Sequence, residues 1–449
     1  MMARLFGTDG VRGKAGEYPL DVPTVRRIGG ALARALRRGD EAVRFLAGRD
    51  TRESGAWIER ELAFGIRSQG GSLISAGVVP TPAIAYLTPR MSYTAGVVIS
   101  ASHNPFEDNG IKVFSGAGEK FTEALESQVE SVIADPSWAV PAGDAGDVEQ
   151  ADYRAEYIAH LRGILPGDTR AKALRIVIDC ANGATTTVAP RLFEELGVET
   201  RRIGSEPDGR NINLNCGSTA PGLLAKTVVS GGYDIGIAYD GDGDRAIFVD
   251  ATGKVVDGDA VMLMCATQMR SEGRLKGGAI VATVMSNIGL ELALRDAGIG
   301  LVRCAVGDKY VMEELLRRDL SLGGEQSGHV IFADYLFTGD GIATSLHVLR
   351  TMLATGRTLQ DLASPLVVYP QVLMNLRVKQ KIDLATIPAV AAVMADVESR
   401  VAGHGRLLVR YSGTEPLLRV MLEGKDEAEI RRWGQEIIDV VKQHVGAAV

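Results

Sequence analysis

The sequence predicts an α/β protein in which three similar α/β domains with mixed sheets precede a smaller C-terminal α+β domain. Three observations predict it. The chain has 449 residues, past the ~250–300 at which a single core stops growing. One order of elements recurs three times, and the segment after residue 368 departs from it.

The first repeat is "VRFLAGRDTRESGAWIERELAFGIRSQGGSLISAGVVPTP", residues 43–82; the second is "LRIVIDCANGATTTVAPRLFEELGVETRRIGSEPDG", residues 174–209; the third is "GAIVATVMSNIGLELALRDAGIGLVRCAVGDKY", residues 278–310. Each begins with a short β-branched apolar run that meets a turn of Gly, Asn, Asp or Ser. A helix-period segment and a second strand follow. Such βαβ units imply sheets that are at least partly parallel, with the polar turns at the ligand-binding carboxyl edge. Their spacing of roughly a small domain, ~100 residues or more, points to duplication.

From Tyr369 the order changes to the strand "YPQVLMNLRV", the helix "IPAVAAVMADVESRVAG", a hairpin through "GRLLVRYSGTEPLLRVMLEG" and the amphipathic helix "DEAEIRRWGQEIIDVVKQHVG". This βαββα order lacks a crossover pattern and reads as a separate α+β domain. The expected domains are 1–153, 154–256, 257–368 and 369–449.

Composition excludes several function classes. Hydrophobic residues make up 46% and charged residues 23%, with a net charge of −7 and no basic run, so nucleic acid is not an expected partner. No stretch approaches 18 continuous apolar residues and the start "MMARLFGTDG" has no apolar signal region, so no membrane partner is expected. Cys180, Cys216, Cys265 and Cys304 stand far apart without a CxxC pair, which argues against disulfides and zinc and fits a reducing cytoplasm.

The most specific local signal is "IGIAYDGDGDRAIFVD", residues 235–250. Alternate residues of an extended segment share a face, so Asp240, Asp242 and Asp244 are expected to converge. Two like charges at 4 Å repel by ~4 kcal/mol at an effective dielectric of 20, which Arg245 alone cannot offset. A hard divalent cation, Mg²⁺ above all, accounts for the cluster. An EF-hand would need Gly at Arg245 and an acid at Ala251. A solvated acidic turn is the plain alternative.

Mg²⁺ held by three carboxylates keeps positions for water or phosphate oxygens. Ser102 ends the apolar strand "AGVVISA", and "EDNGIKVF" beyond it reads as an Asn-Gly turn followed by a strand carrying Lys112. No G-x-S-x-G motif supports acyl transfer, so a phosphorylated serine fits better, against the alternative that "SHNP" is a capped turn. In "LGGEQSGHVIF", residues 322–332, Glu325 and Ser327 can grip adjacent sugar hydroxyls and His329 follows them. In "VRYSGTEPLLRV", residues 409–420, the amides of Ser412, Gly413 and Thr414 can form an anion nest between Arg410 and Arg419.

With "FGTDGVRG" at 6–13, "ISASHNPFEDNGIKVF" at 99–114, "DGDGDR" at 240–245, "GGEQSGH" at 323–329 and "RYSGTEP" at 410–416 in that order, essentially the whole chain resembles the α-D-phosphohexomutase family. The resemblance implies four domains around a central cleft: phosphoserine, metal-binding, sugar-binding and phosphate-binding. It implies that Ser102 is the phosphoserine, that Ser102, Asp240, Asp242 and Asp244 hold Mg²⁺, and that Glu325 and Ser327 bind the sugar. Arg410, Ser412, Gly413, Thr414 and Arg419 would hold the non-reacting phosphate. Arg12, His103, Lys112 and Arg245 match positions that line the reacting one, and Lys112, His103 or His329 would move the proton. Tyr411 departs from the pattern, since related enzymes often carry Lys there.

"GTDGVRG", "FEDNGIK" and Gln326 look like the aminosugar branch. That likeness implies interconversion of glucosamine 6-phosphate and glucosamine 1-phosphate through glucosamine 1,6-bisphosphate, feeding UDP-N-acetylglucosamine and cell-wall precursor synthesis. Phosphomannomutase or phosphoglucomutase activity is the alternative within the family. An aspartyl-phosphate enzyme would want Thr or Val where Asp244 stands, and a non-catalytic sugar-phosphate sensor would need neither Ser102 nor a metal. A small-molecule sugar phosphate is the expected partner. The oligomeric state stays open, a homodimer included.

Overall fold

The structure is a computed structural model and describes residues 5–7, 9–39, 41–165, 171, 173–412 and 416–445. The chain divides into two compact units, residues 1–285 with 299–364, and residues 286–298 with 365–449.

The first unit contains three sheets. The first holds β1 (Val11–Lys14), β2 (Arg44–Arg49), β3 (Ser72–Val78), β4 (Ala95–Ile99), β5 (Asp108–Ser115) and β6 (Glu149–Gln150) in the order β1-β5-β4-β2-β3-β6. The second holds β7 (Arg175–Asp179), β8 (Glu199–Ile203), β9 (Ile235–Tyr239), β10 (Ala246–Asp250) and β11 (Val255–Val256), ordered β11-β10-β9-β7-β8. The third holds β12 (Ala279–Thr283), β13 (Gly300–Cys304), β14 (Leu322–Gly324) and β15 (Val330–Phe332), ordered β13-β12-β14-β15.

One topology underlies all three. Two parallel strands joined by a helix come first, a third pairs parallel to the first of them, and a fourth returns antiparallel to the third. In strand order this is β5-β4-β2-β3, β10-β9-β7-β8 and β15-β14-β12-β13. The repeats expected at 43–82, 174–209 and 278–310 are the opening βαβ of each unit, and the sheets are mixed because every unit ends in an antiparallel strand. The reading of strand type follows burial. The central β4 and β9 are buried along their whole length, whereas β8 at an edge carries exposed Glu199, Arg201 and Arg202.

One local expectation fails. Asn109 and Gly110 do not form a turn; they lie within β5, opposite Gly13 and Arg12 of β1. Asn109 is buried and its Nδ2 donates to Ser54 Oγ at 2.8 Å. A Cβ on Gly110 would stand 2.6 Å from Ser100 O, so glycine there serves close backbone approach within the sheet.

In the second unit β16 (Gln371–Arg377), β17 (Arg406–Tyr411) and β18 (Leu417–Glu423) pair antiparallel in the order β16-β18-β17, with the helices Pro388–Val401 and Glu427–Val445. Val372, Leu376, Leu418, Val420 and Leu422 bury against Val390, Val397, Ile430, Ile437 and Val441. The helix Ile288–Asp296 belongs here because Asn287 exchanges hydrogen bonds with Tyr369 at 3.0 Å each and buried Glu423 Oε2 accepts from Ile288 N at 3.1 Å. The four cysteines are free thiols. Among the described residues no helix is long and apolar enough to cross a membrane.

Within the first unit an aromatic stack joins the helices Thr81–Arg90 and Arg154–Arg162 to the segment after β15. The His160 ring lies between Tyr86 at 3.9 Å and Tyr335 at 4.1 Å, nearly parallel to both. Burial, then the positive charge of Arg90, pushes the His160 imidazole from its usual 6.5 down to about 4. The unfolded chain therefore takes up this proton more readily than the folded one. The contribution of the stack is intact above pH 6.5 and is lost as pH falls toward 4. Replacing His160 with Phe keeps the stack and removes the titration. The variant should gain on the wild type, by on the order of 1 kcal/mol after solvent screening, as thermal melts are taken from neutral to mildly acidic pH; a constant gap across that range would refute the linkage.

Candidate active site

The three loops that follow β4, β9 and β14 carry the serine, acidic and Glu-Ser motifs, so topologically equivalent turns supply all three. The serine loop is the most constrained. Ser102 has φ +51°, in the left-handed region that costs a side-chain-bearing residue roughly 1–2 kcal/mol.

Its backbone is held from several sides. Ser102 N donates to Ser100 Oγ at 2.9 Å, and Ser102 O accepts from Arg52 Nη2 at 3.0 Å and Asn213 Nδ2 at 2.9 Å. Arg52 also donates to Asn104 O at 2.8 Å and to Pro105 O. Its charge is met by Asp50 Oδ2 at 2.9 Å, which Ser100 Oγ also reaches at 2.6 Å, and both ionic side chains are fully buried. Burial raises the Asp50 carboxyl, and Arg52 opposes that rise. Sequence reasoning missed Arg52, Asp50 and Asn213. The charged run Arg49, Asp50, Arg52 at the end of a buried strand was the available signal.

The three aspartates converge, but by a turn rather than by strand alternation. β9 ends at Tyr239 and β10 begins at Ala246, and the chain bends through Gly241–Asp244 between them. One carboxylate oxygen from each of Asp240, Asp242 and Asp244 lies within 4.8 Å of the others, and all three residues are buried. The acidic and serine loops touch. Ser102 Oγ donates to Asp240 Oδ2 at 2.5 Å, and a Cβ on Gly241 would stand 2.5 Å from Ser102 O.

Lys112 Nζ offsets part of the negative charge, 2.8 Å from Asp242 Oδ2 and 3.7 Å from Asp244 Oδ2. Thr81 Oγ1 donates to Asp242 Oδ2 at 2.6 Å. Burial, then repulsion from Asp244 and Asp242, holds the Asp240 carboxyl well above its usual range. At Asp244 burial is outweighed by Lys112, then His329 and Arg245, and the carboxyl sits well below its usual range. Asp242 Oδ1 and Asp244 Oδ1 are buried and accept no hydrogen bond among the described residues. Buried carboxylate oxygens without donors, converging with a third acid, are the donor set a hard divalent cation takes, so the residues fit such an ion.

A cavity of about 510 Å³ opens beside this cluster, with Arg12, His103, Asp244, Arg245, Glu325 and His329 in its wall. His103 Nδ1 is 3.3 Å from Ser102 Oγ, and Arg12 Nη1 donates to Ala101 O at 3.2 Å. Burial, then the charges of Arg245 and Arg12, lowers the His103 imidazole and favours its neutral form. For Lys112, burial is outweighed by Asp242, Asp9 and Asp244, so its amine is raised and stays an ammonium. Glu325 Oε1 accepts from Gly307 N at 3.1 Å, and exposed Ser327 donates to Glu325 Oε2 at 3.4 Å. His329 Nε2 accepts from Gly339 N at 3.1 Å, which leaves Nδ1 facing Asp244 Oδ2 at 3.6 Å. Sequence reasoning also missed Asp9 and Asp308, which line the same cavity, and Lys120, which pairs with both; Asp9 pairs with Lys112 as well.

In the second unit Arg410 and Arg419 stand directly opposite each other on β17 and β18. Like charges in such a pair repel, and an anion between them would offset the cost. Ser412 N donates to Leu417 O at 2.8 Å, and Lys381 Nζ donates to Ser412 O at 2.6 Å. Tyr411 turns its hydroxyl to Ile382 O at 2.8 Å. Gly413 and Thr414 lie outside the described residues.

Serine, acidic and Glu-Ser motifs on three equivalent α/β units, with an α+β domain carrying the paired arginines after them, define a phosphohexomutase. Models of the phosphoglucomutase/phosphomannomutase family match in order, α/β/α domain I over residues 3–139, domain II over 155–253, domain III over 257–369 and the C-terminal domain over 373–440. The chain belongs to this family and is an isomerase of the phosphohexomutase type. It is 47% identical over 451 residues to the phosphoglucosamine mutase of Geotalea daltonii, covering 100% of this chain and 99% of that one. It is 48% identical over 449 residues to the phosphoglucosamine mutase of a Geobacter species, covering 99% of each. Among solved structures, a phosphoglucomutase/phosphomannomutase family protein of Burkholderia thailandensis superimposes with a TM-score of 0.81 at 25% identity over 100% of this chain and 99% of that one. The N-acetylphosphoglucosamine mutase of Aspergillus fumigatus shares the fold, with a TM-score of 0.66 at 17% identity over 98% and 95%.

Replacing Arg52 with Met would take a donor from each of the Ser102, Asn104 and Pro105 carbonyls and leave the buried Asp50 without its cation. Urea unfolding should show a loss of about 3–5 kcal/mol. A loss below about 1 kcal/mol, the scale of an exposed ion pair, would mean the serine loop does not depend on this anchor.

Proposed function

We propose that the protein interconverts glucosamine 6-phosphate and glucosamine 1-phosphate, with Ser102 as the phosphoryl carrier and glucosamine 1,6-bisphosphate as the intermediate. The observation that carries the reading is the strained Ser102, whose hydroxyl is bonded to the acidic cluster at the edge of a polar cavity. The name shared by relatives 47–48% identical over the full chain supports the aminosugar as substrate. The domain roles follow, with the serine in 1–153, the acidic cluster in 154–256, the sugar loop in 257–368 and the basic pair in 369–449.

In the first half-reaction the bond between phosphorus and Ser102 Oγ breaks as a bond forms to the free sugar hydroxyl, whose proton passes to a base. In the second, Ser102 Oγ takes the other phosphoryl group from the bisphosphate and the proton returns to the released sugar oxygen. His103, neutral and beside Ser102 Oγ, suits the acceptor's role better than Lys112, which its carboxylate neighbours keep protonated. Arg12 and Arg245 line the cavity and would meet the charge on the transferring group. Asp240, Asp242 and Asp244 would hold Mg²⁺, which when bound draws charge from that group. Glu325 and Ser327 would grip sugar hydroxyls, while Arg410, Ser412, Gly413, Thr414 and Arg419 would grip a phosphate that is not being transferred.

Ser102→Ala should abolish turnover while the circular dichroism spectrum and melting temperature stay near those of the wild type; near-normal isomerisation by the variant would refute the phosphoserine. Label on the wild type should resist hydroxylamine, which would strip an acyl phosphate. For specificity, kcat/KM measured on the 1-phosphates of glucosamine, glucose and mannose should favour glucosamine by about tenfold or more. Equal values would turn the assignment toward phosphoglucomutase or phosphomannomutase.

A further inference from the structure

The contacts around the cavity form a closed circuit. Asp244 Oδ2 is 3.6 Å from His329 Nδ1, and His329 Nε2 is 3.5 Å from Asp308 Oδ2. Asp308 is paired with Lys120, whose Nζ also lies 2.6 Å from Asp9 Oδ1. Asp9 Oδ2 is 3.0 Å from Lys112 Nζ, which closes on Asp242 at 2.8 Å and on Asp244 at 3.7 Å. Acids and bases alternate around it, and Lys120 is its one lysine that contacts none of the three clustered aspartates.

Lys120 joins two stretches of chain far apart in sequence. It follows β5, where it forms a bridge with Phe114, and reaches Asp308, the first residue of the helix Asp308–Arg318. The residue before that helix, Gly307, has φ +127° and donates its amide to Glu325 Oε1. A second tie between the same stretches, Lys309 to Glu123 at 3.1 Å, has its acid 61% exposed, whereas the Lys120 and Asp308 side chains are each 12% exposed. Exposed pairs contribute little, and removing one partner of a buried pair is costly. The Lys120–Asp308 pair is therefore the strut that fixes the turn at Gly307.

We propose that Lys120 is a positioning residue for the sugar: through Asp308, the residue next to Gly307, it holds the Gly307 amide on Glu325, so that the sugar loop is ordered before substrate arrives. The inference rests on the proposed mutase reaction and adds a role to a residue outside the motifs. Its mechanism is preorganisation, so its loss falls on substrate binding more than on phosphoryl transfer.

The test is a double-mutant cycle of Lys120→Met, Asp308→Asn and the two together, with Lys120→Arg as the conservative variant, each assayed for KM and kcat on glucosamine 1-phosphate. Lys120→Met should raise KM by about tenfold or more with kcat changed less, and Lys120→Arg should recover most of the loss. In the Asp308→Asn background the Lys120→Met change should add little, because the strut is already gone. If Lys120→Met fails to fold, the double variant removes the unpaired Asp308 charge, and its KM should still exceed that of the wild type by the same factor. Unchanged KM, or effects of the two substitutions that multiply, would overturn the inference while leaving the mutase reading intact. A wild type that does not interconvert the sugar phosphates would overturn the reading, and the inference with it.

Discussion

Three carboxylates buried within 4.8 Å of one another set the terms for the rest of the site. Each pair repels in a medium less polar than water, and the surrounding structure supplies what holds them together: Lys112 from β5, Thr81 from a helix start, the Ser102 hydroxyl and the backbone amide of Arg245, which donates to Asp240 Oδ1 at 3.2 Å. Much of that support comes from outside the sheet that bears the acids. The serine loop cannot shift without uncovering a carboxylate, and the acidic loop cannot open without releasing the serine. Two chemically different motifs are thereby kept in register by electrostatics as much as by packing.

The repeated topology explains how such a site can be assembled from separate stretches of chain. In each of the three units the loop after the third strand lies where a parallel pairing gives way to an antiparallel one. A tight return to an antiparallel neighbour needs only a short loop, and a short loop on two buried strands can point its side chains reproducibly. The same architectural position accordingly holds the serine, the metal-type acids and the Glu-Ser pair, and the chemistry differs only in the residues placed there. Rigidity comes from beneath, as with the fully buried Arg52–Asp50 pair under Ser102.

The sequence made the repeats legible because strand burial and helix periodicity are local properties, and each apolar run it marked became a strand. The acidic triplet was equally plain, since three aspartates at alternate positions between two apolar strands have few uses. The route by which they meet was misread, because strand alternation and a turn both bring alternate residues together, and only the ends of β9 and β10 distinguish them. Asn109-Gly110 was misread for a related reason: the pair has the local chemistry of a turn, and pairing of β1 to β5 overrides it.

What the amino-acid order determined by itself was the set of elements, their repetition and the identity of the reactive groups, all of which depend on neighbours a few residues apart. What only the tertiary structure decided was which charges meet. Lys112 reaches Asp242, Lys120 reaches Asp308, and Arg52 with Asn213 grips the serine loop across separations of about 50 to 190 residues. A charge read in sequence carries no information about its partner, because Coulombic energy depends on distance and burial in three dimensions, and those are fixed only when the sheets have packed.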